Sequence, residues 1–332
     1  MEETNLNNDF ELVNLDDLGM PEEELFSRID NSSVTSEKIT APRYSYWKSV
    51  ARVFFKKRIN VVLLVLFAII IIFAFIYPTI FPFNKYIHLQ DVTSSHLTPS
   101  AAIGRYGFSL KWILGTGTVG QSLFDELWAS SRISISLALM CALINMTIGV
   151  VLGAVWGFSK KFDAFMIEVY NIIGNVPYVL IVSVLVLIVG AGFWSFVFAL
   201  TITGWLAIAY FIRTQVLIIR DREYNLASRC LGTPIMRITM KNILPFLTSV
   251  IVTLAAAEIP SYISYEVFLS YIGFGMSDTS LGSMIEIGQQ FMNTPGRQLE
   301  FWGPVALASF ITVVLYVIGQ NLGDASDPRT HM

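Results

Sequence analysis

Ile59–Ile76 is an almost unbroken apolar run in which Asn60 is the one polar side chain, and no other feature limits the possible folds of this chain so severely. A helix needs about 20 apolar residues to cross the hydrocarbon core of a bilayer. Further runs of this kind give expected spans near 59–80 (the first transmembrane helix, reaching 82 at its outer limit), 133–157, 165–190, 194–217, 247–271 and 304–323. Composition agrees. Of 332 residues, 54% are hydrophobic and only 14% charged, whereas a soluble domain carries roughly a quarter charged residues. The expected fold is therefore an all-α polytopic membrane protein of about six transmembrane helices. The first run begins far from Met1 and is expected to be retained rather than cleaved as a signal.

Charge is distributed unevenly. Residues 1–30 hold ten acids and one base, Arg28, while Arg43, Lys48, Arg52, Lys56, Lys57 and Arg58 follow without an acid between them. Residues 1–40 are expected to form an acidic cytoplasmic tail, disordered because large apolar residues are too few to build a core. Residues 41–58 are expected to form a basic interfacial elbow helix, with Trp47, Val50, Ala51 and Phe54 at helical spacing and cations near anionic headgroups. With the amino terminus inside, cytoplasmic segments collect this cluster together with Lys160, Lys161, Arg220, Arg222, Arg229, Arg237, Lys241 and Arg329. The positive-inside rule then places both termini in the cytoplasm, including residues 324–332, and turns segments 83–132 and 272–303 outward.

Several chemistries lack a sequence basis. There is no G-x-x-x-x-G-K-[ST] phosphate loop, and His88, His96 and His331 are scattered without metal-site spacing. Cys141 and Cys230 do not suggest a disulfide framework. No catalytic residue, metal or cofactor is expected on this chain, which reads as a non-enzyme. Nucleic-acid binding is not expected either. Glu258 and Glu266 fall in the fifth span, where an ionised carboxylate must face protein or water, and Glu168 lies nearer the edge of the third. They could line a pathway, relay protons or make helix–helix hydrogen bonds. The spacing of Gly149, Gly153 and Gly157 permits a close helix contact in lipid.

The segment 220–245 is the most informative loop. Glu223 to Leu231 reads as a short helix containing Tyr224, Leu226, Ala227, Ser228 and Arg229. Gly232 supplies the positive φ that ends it, and Thr233-Pro234 opens a second helix running to Leu244. Two short helices bent at a glycine would project from the membrane as a knob suited to a groove on another protein.

That knob resembles the EAA coupling loop of ABC importer permeases, in which E-A-A is followed after three residues by Gly and later by I-x-L-P. Ala227, Ser228 and Gly232 stand at the Ala-Ala and Gly positions, Leu226 replaces the glutamate, and Ile243, Leu244 and Pro245 fit the end. Glu223 matches the upstream acid of peptide permeases. Three further stretches resemble the C-type subunit of oligopeptide, dipeptide and nickel importers. They are Gly115–Ser122 with Ser131–Leu137, Glu266–Gly275 followed by Ser280–Ile285, and Asn321–Arg329. The resemblance covers residues 45–330. It implies a MetI-like permease fold with a core at 133–323, and a homologous permease subunit as heterodimer partner. It also implies two cytoplasmic ATPase subunits that carry ATP and Mg, and an extracellular substrate-binding lipoprotein that delivers the peptide. Dipeptides or nickel are alternative cargoes within that class. Outside it, the alternatives are a proton-coupled secondary carrier using Glu258 and Glu266, and a polytopic receptor or scaffold with the acidic tail as output.

Overall fold

The computed structural model describes residues 46–83 and 92–326; the expected acidic tail and residues 327–332 lie outside these. The described residues are almost wholly helical. Five helices are long and apolar enough to cross a membrane, or six if a bent pair forms one span. Helix α1 (Tyr46–Lys56) leads into α2 (Arg58–Ile80), the first long apolar run. The Asn60 amide, fully buried, donates to the Phe54 carbonyl (2.8 Å) and so closes the end of α1. Only half of the expected apolar face of α1 turns inward. Val50 and Phe54 pack on Ala325, whereas Trp47 and Ala51 are exposed. Tyr46 donates to the Ser326 carbonyl and Lys57 to Asn321. The elbow is thus held by the end of the final helix as well as facing outward.

Residues 92–122 form an irregular layer around α3 (Pro99–Tyr106). Thr116 binds both the Ser94 carbonyl and the Leu97 amide, and His96 bonds Glu300 at 2.7 Å. Helix α4 (Leu123–Trp156) begins ten residues before the expected span. Its first turn carries two acids, Asp125 and Glu126, and both are buried and partnered. Tyr77 donates to Asp125, which also pairs with Lys111, and Gln121 donates to Glu126. The Ser122 hydroxyl caps the helix by accepting from the Asp125 amide, and acids in the first turn suit the helix dipole.

The third expected span, 165–190, is not one straight helix. It divides into α5 (Lys160–Gly174) and α6 (Tyr178–Val189), bent by 78°. Pro177 is the cause: it lacks an N–H and forces the residue before it away from helical geometry. The fourth span, 194–217, forms as α7 (Phe193–Thr201) and α8 (Trp205–Arg220), broken at Ile202–Gly204. Helix α9 (Glu223–Cys230) and α10 (Ile235–Ile238) follow. A π-type turn at Thr239–Ile243 and the short α11 (Leu244–Phe246) then lead into α12 (Thr248–Leu269). The last elements are α13 (Leu281–Gly288) and α14 (Leu299–Ser326).

Helix α12 packs on α14 and α4, and α4 on α8. Glycine makes the α4–α8 contact close. A methyl group at Gly149 would meet Ile208 at 2.6 Å, one at Gly157 would meet Val216 at 2.6 Å, and one at Gly153 would strike the Ala209 backbone. Arg220 donates to the Gly157 carbonyl, and Gly323 lies against Thr253. These contacts bring α1, the α4–α5 turn, residues 220–247 and the end of α14 to one end of the bundle.

Candidate functional site

The protrusion at 220–245 is built from its glycine outward. Gly232 has φ +75°. Its N–H donates to the Arg229 carbonyl and the Thr233 N–H to the Ser228 carbonyl, which satisfies the last carbonyls of α9 and reverses the chain. Pro234 then caps α10 at its start. The inner side is fixed by Ile219, Ile238, Ile243 and Leu247, buried together with Ile212 and Val216 of α8. Leu244 is partly buried against this cluster.

Asn225 completes the attachment and was not singled out from sequence. It is 0% exposed in an otherwise exposed helix. Its amide donates to the Ile219 carbonyl (3.0 Å), and its carbonyl accepts from Asn242 (3.1 Å). The only available signal was a polar residue on the helix face opposite Leu226–Ser228. Of the expected loop residues, Glu223, Tyr224, Leu226, Ala227, Arg229, Leu231, Gly232, Pro234 and Pro245 are exposed, and Ser228 and Thr233 are half-buried. Leu231 is 86% exposed, and Ile235, Met236 and Met240, which follow it in the protrusion, are exposed as well. Apolar side chains grouped at the end of a bundle, among Arg229, Arg237 and Lys241, suit a protein contact.

The three acids expected at membrane depth have separate surroundings. Glu168 is exposed on α5. Glu266 is 0% exposed and ties the fold together. It accepts from the hydroxyls of Ser134 (2.9 Å), Ser280 (2.6 Å) and Ser270 (3.3 Å), and from the Gly282 amide (3.2 Å). The carboxylate sits at the amino-terminal end of α13, where backbone N–H groups favour negative charge. Ser134 comes from a stretch far from Glu266 and Ser280 in sequence, and one carboxylate joins all three. This is the helix–helix hydrogen-bonding arrangement.

Glu258 instead faces a cavity of about 350 Å³. Both helix breaks open into it, through Gly174 and Pro177 on one side and Thr203 and Gly204 on the other. Tyr178, Tyr262 and Tyr265 form an aromatic wall, with Tyr178 and Tyr265 edge to face at 5.0 Å. The Tyr262 hydroxyl, one helical turn from Glu258, accepts from Asn145 at 2.5 Å. Asn145 and Tyr178 both donate to the Leu200 carbonyl near the end of α7. Irregular backbone at membrane depth is stable only where it is buried in protein or lines a water-filled space, so breaks and cavity form one feature. Among the described residues no group of acids, histidines and cysteines could hold a metal ion.

Comparison with known proteins adds a separate line. Residues 146–332 match the family model for the binding-protein-dependent transport system inner membrane component. Residues 45–99 match the N-terminal TM domain of oligopeptide transport permease C. The chain is 45% identical over 314 residues to the oligopeptide transport system permease protein AmiD of Streptococcus pneumoniae, covering 93% of this chain and 98% of that protein. It is 31% identical to the dipeptide transport system permease protein DppC of Bacillus subtilis, covering 89% of each. With the oligopeptide transport system permease protein OppC of the same organism it shares 30% identity, covering 89% of this chain and 93% of that protein.

Proposed function

Because this chain belongs to the inner membrane components of binding-protein-dependent transport systems, as a permease subunit rather than an enzyme, we propose that it moves oligopeptides inward under the control of ATPases docked on its 220–245 protrusion. The cargo follows the names of its relatives, an oligopeptide permease foremost. Membership of the family implies ATPase and binding-protein partners in general. The finer arrangement proposed is a heterodimer with a homologous permease, two cytoplasmic ATPases holding ATP and magnesium, and an extracellular binding lipoprotein.

The observation that carries this reading is the protrusion itself. It is tethered to α8 through Asn225 and Ile219, while Leu231, Met236 and Met240 stand exposed at the same end of the bundle as the basic elbow. Basic residues at that end, from Lys48 to Lys241, favour the cytoplasmic side. An ATPase gripping Leu231 would pull on α8 through Ile219. The same motion would reach the Thr203–Gly204 break beside the cavity, as alternating access requires. Segments 83–132 and 272–303 would face the binding protein on the opposite side.

The test is a Leu231→Cys variant in a Cys230→Ser background, crosslinked in the assembled importer. A disulfide or short maleimide bridge to an ATPase subunit is expected, and Gly232→Trp should lower both uptake and peptide-stimulated ATP hydrolysis while assembly persists. Crosslinks that never reach an ATPase, or unchanged uptake by Gly232→Trp, would remove the coupling role.

A further inference from the structure

The Glu258 cavity has a charge pattern that translocation in general does not require. Glu258 lies ten residues beyond Thr248, about 15 Å along α12 at roughly 1.5 Å per residue. That is the middle of a hydrocarbon core of about 30 Å. It makes no ion pair among the described residues. A carboxylate at this depth calls for a compensating cation or strong donors, and the Tyr262 hydroxyl lines the same cavity one turn further along α12.

The helix ends around the cavity do not supply that cation. Gly174 ends α5 and Tyr178 begins α6, while Thr203 and Gly204 lie between the end of α7 and the start of α8. One carboxyl-terminal and one amino-terminal end meet at the first break, and the second is a turn within a span that stays helical in its backbone angles, so the dipoles leave no net positive end there. Glu258 alone sets the formal charge of the lining. The tyrosines act in the same sense, because aromatic faces attract cations most strongly where water is scarce. Ser261, one turn from Glu258 on α12, adds a hydroxyl to the lining.

We propose that Glu258, with Tyr178, Tyr262 and Tyr265, forms a transit subsite for the free α-ammonium group of the peptide, so that peptides pass this depth with a preferred end bound. The subsite rests on the peptide-permease reading above. Its role is to hold one cationic group during passage; Asn145 positions Tyr262 from behind.

The test uses the whole importer in proteoliposomes, with its binding protein saturated by tetra-alanine. Uptake by Glu258→Gln should fall about tenfold, the loss expected from one desolvated charge pair, with peptide-independent ATP hydrolysis unchanged and partial recovery in Glu258→Asp. A second measurement keeps Glu258 intact. Ser261→Cys is exposed during turnover to tetrapeptides bearing a bromoacetylated diaminopropionate at the first or the last position, each with a free amino terminus. Alkylation should favour the first-position probe, and the preference should vanish when Glu258→Gln is added. Wild-type uptake rates in Glu258→Gln, or equal alkylation by both probes with Glu258 present, would overturn the subsite and leave the permease reading intact. Absence of ATP-dependent uptake by the wild-type complex would overturn the permease reading itself.

Discussion

The side-chain amide of Asn242 donates to the side-chain carbonyl of Asn225 across 3.1 Å, joining the two arms of a protrusion whose outer face is otherwise exposed. Asn225 also donates to the Ile219 carbonyl at the end of α8. One buried amide thus connects both arms to the helix that would transmit their movement.

Asn225→Ala should therefore loosen the protrusion while leaving the membrane bundle folded. It removes one donor from the Ile219 carbonyl, which keeps the Arg222 N–H, and strands the Asn242 amide; a buried group left unpaired costs about 1–3 kcal/mol. Limited proteolysis should accelerate between residues 226 and 242, and peptide-stimulated ATP hydrolysis should fall. Unchanged proteolysis would show that the packing of Ile238 and Ile243 holds the protrusion unaided.

Gly232 separates backbone demand from space. No atom lies within 4 Å of a methyl group placed there, so a substitution meets no clash, but φ is +75°. Left-handed geometry costs an ordinary residue roughly 1–2 kcal/mol, and asparagine tolerates it better. Gly232→Asn should couple almost normally and Gly232→Val poorly, in peptide-stimulated ATP hydrolysis by the purified complex. Equal activity in both variants would mean that the turn reshapes on docking.

The long spans were legible because lipid demands continuous apolar helix and nothing else produces such runs. The start of α4 was not, since Asp125 and Glu126 look like loop residues until Tyr77, Lys111 and Gln121 are brought against them. The break at Pro177 had a local signal, but hydropathy continues across it and masked the bend. The turn at Gly232 could be read because its conformation is local. The cavity could not, because Gly174, Thr203 and Glu258 converge only after three helices pack. Glu266 and Glu258 have the same sequence context, an acid in an apolar span. Only the serines placed around Glu266 distinguish a structural tie from a lining residue.

Glu266 is expected to govern folding rather than ion coupling. Glu266→Ala leaves the Gly282 amide and three serine hydroxyls without their acceptor, and a methyl group at Gly282 would strike Ser270 and Glu266. Glu266→Ala and Gly282→Ala should both lower the melting temperature in detergent and reduce the amount of assembled complex. Uptake by whatever complex remains should stay indifferent to an uncoupler in ATP-loaded proteoliposomes. Uptake that becomes uncoupler-sensitive, or a normal melting temperature in Glu266→Ala, would restore the proton-relay reading.

The glycines of α4 offer a graded test of how closely α4 and α8 must approach. At Gly157 the obstacle to a methyl group is the Val216 side chain, whose Cγ1 at 2.6 Å can swing away by a rotamer change but whose Cβ at 2.7 Å moves only with its backbone. At Gly153 the obstacle is the Ala209 backbone, which moves only if α8 moves. Overpacking of this kind costs about 1–3 kcal/mol when neighbours cannot relax. Gly153→Ala should therefore lower thermal stability in detergent distinctly more than Gly157→Ala. Because α8 carries Ile219 at one end and begins beside the cavity at the other, Gly153→Ala should also slow peptide uptake in the fraction that folds. Equal melting temperatures for the two variants would mean that the α4–α8 contact relaxes as a whole, and that α8 is not held rigidly enough to carry force from Ile219 to Gly204.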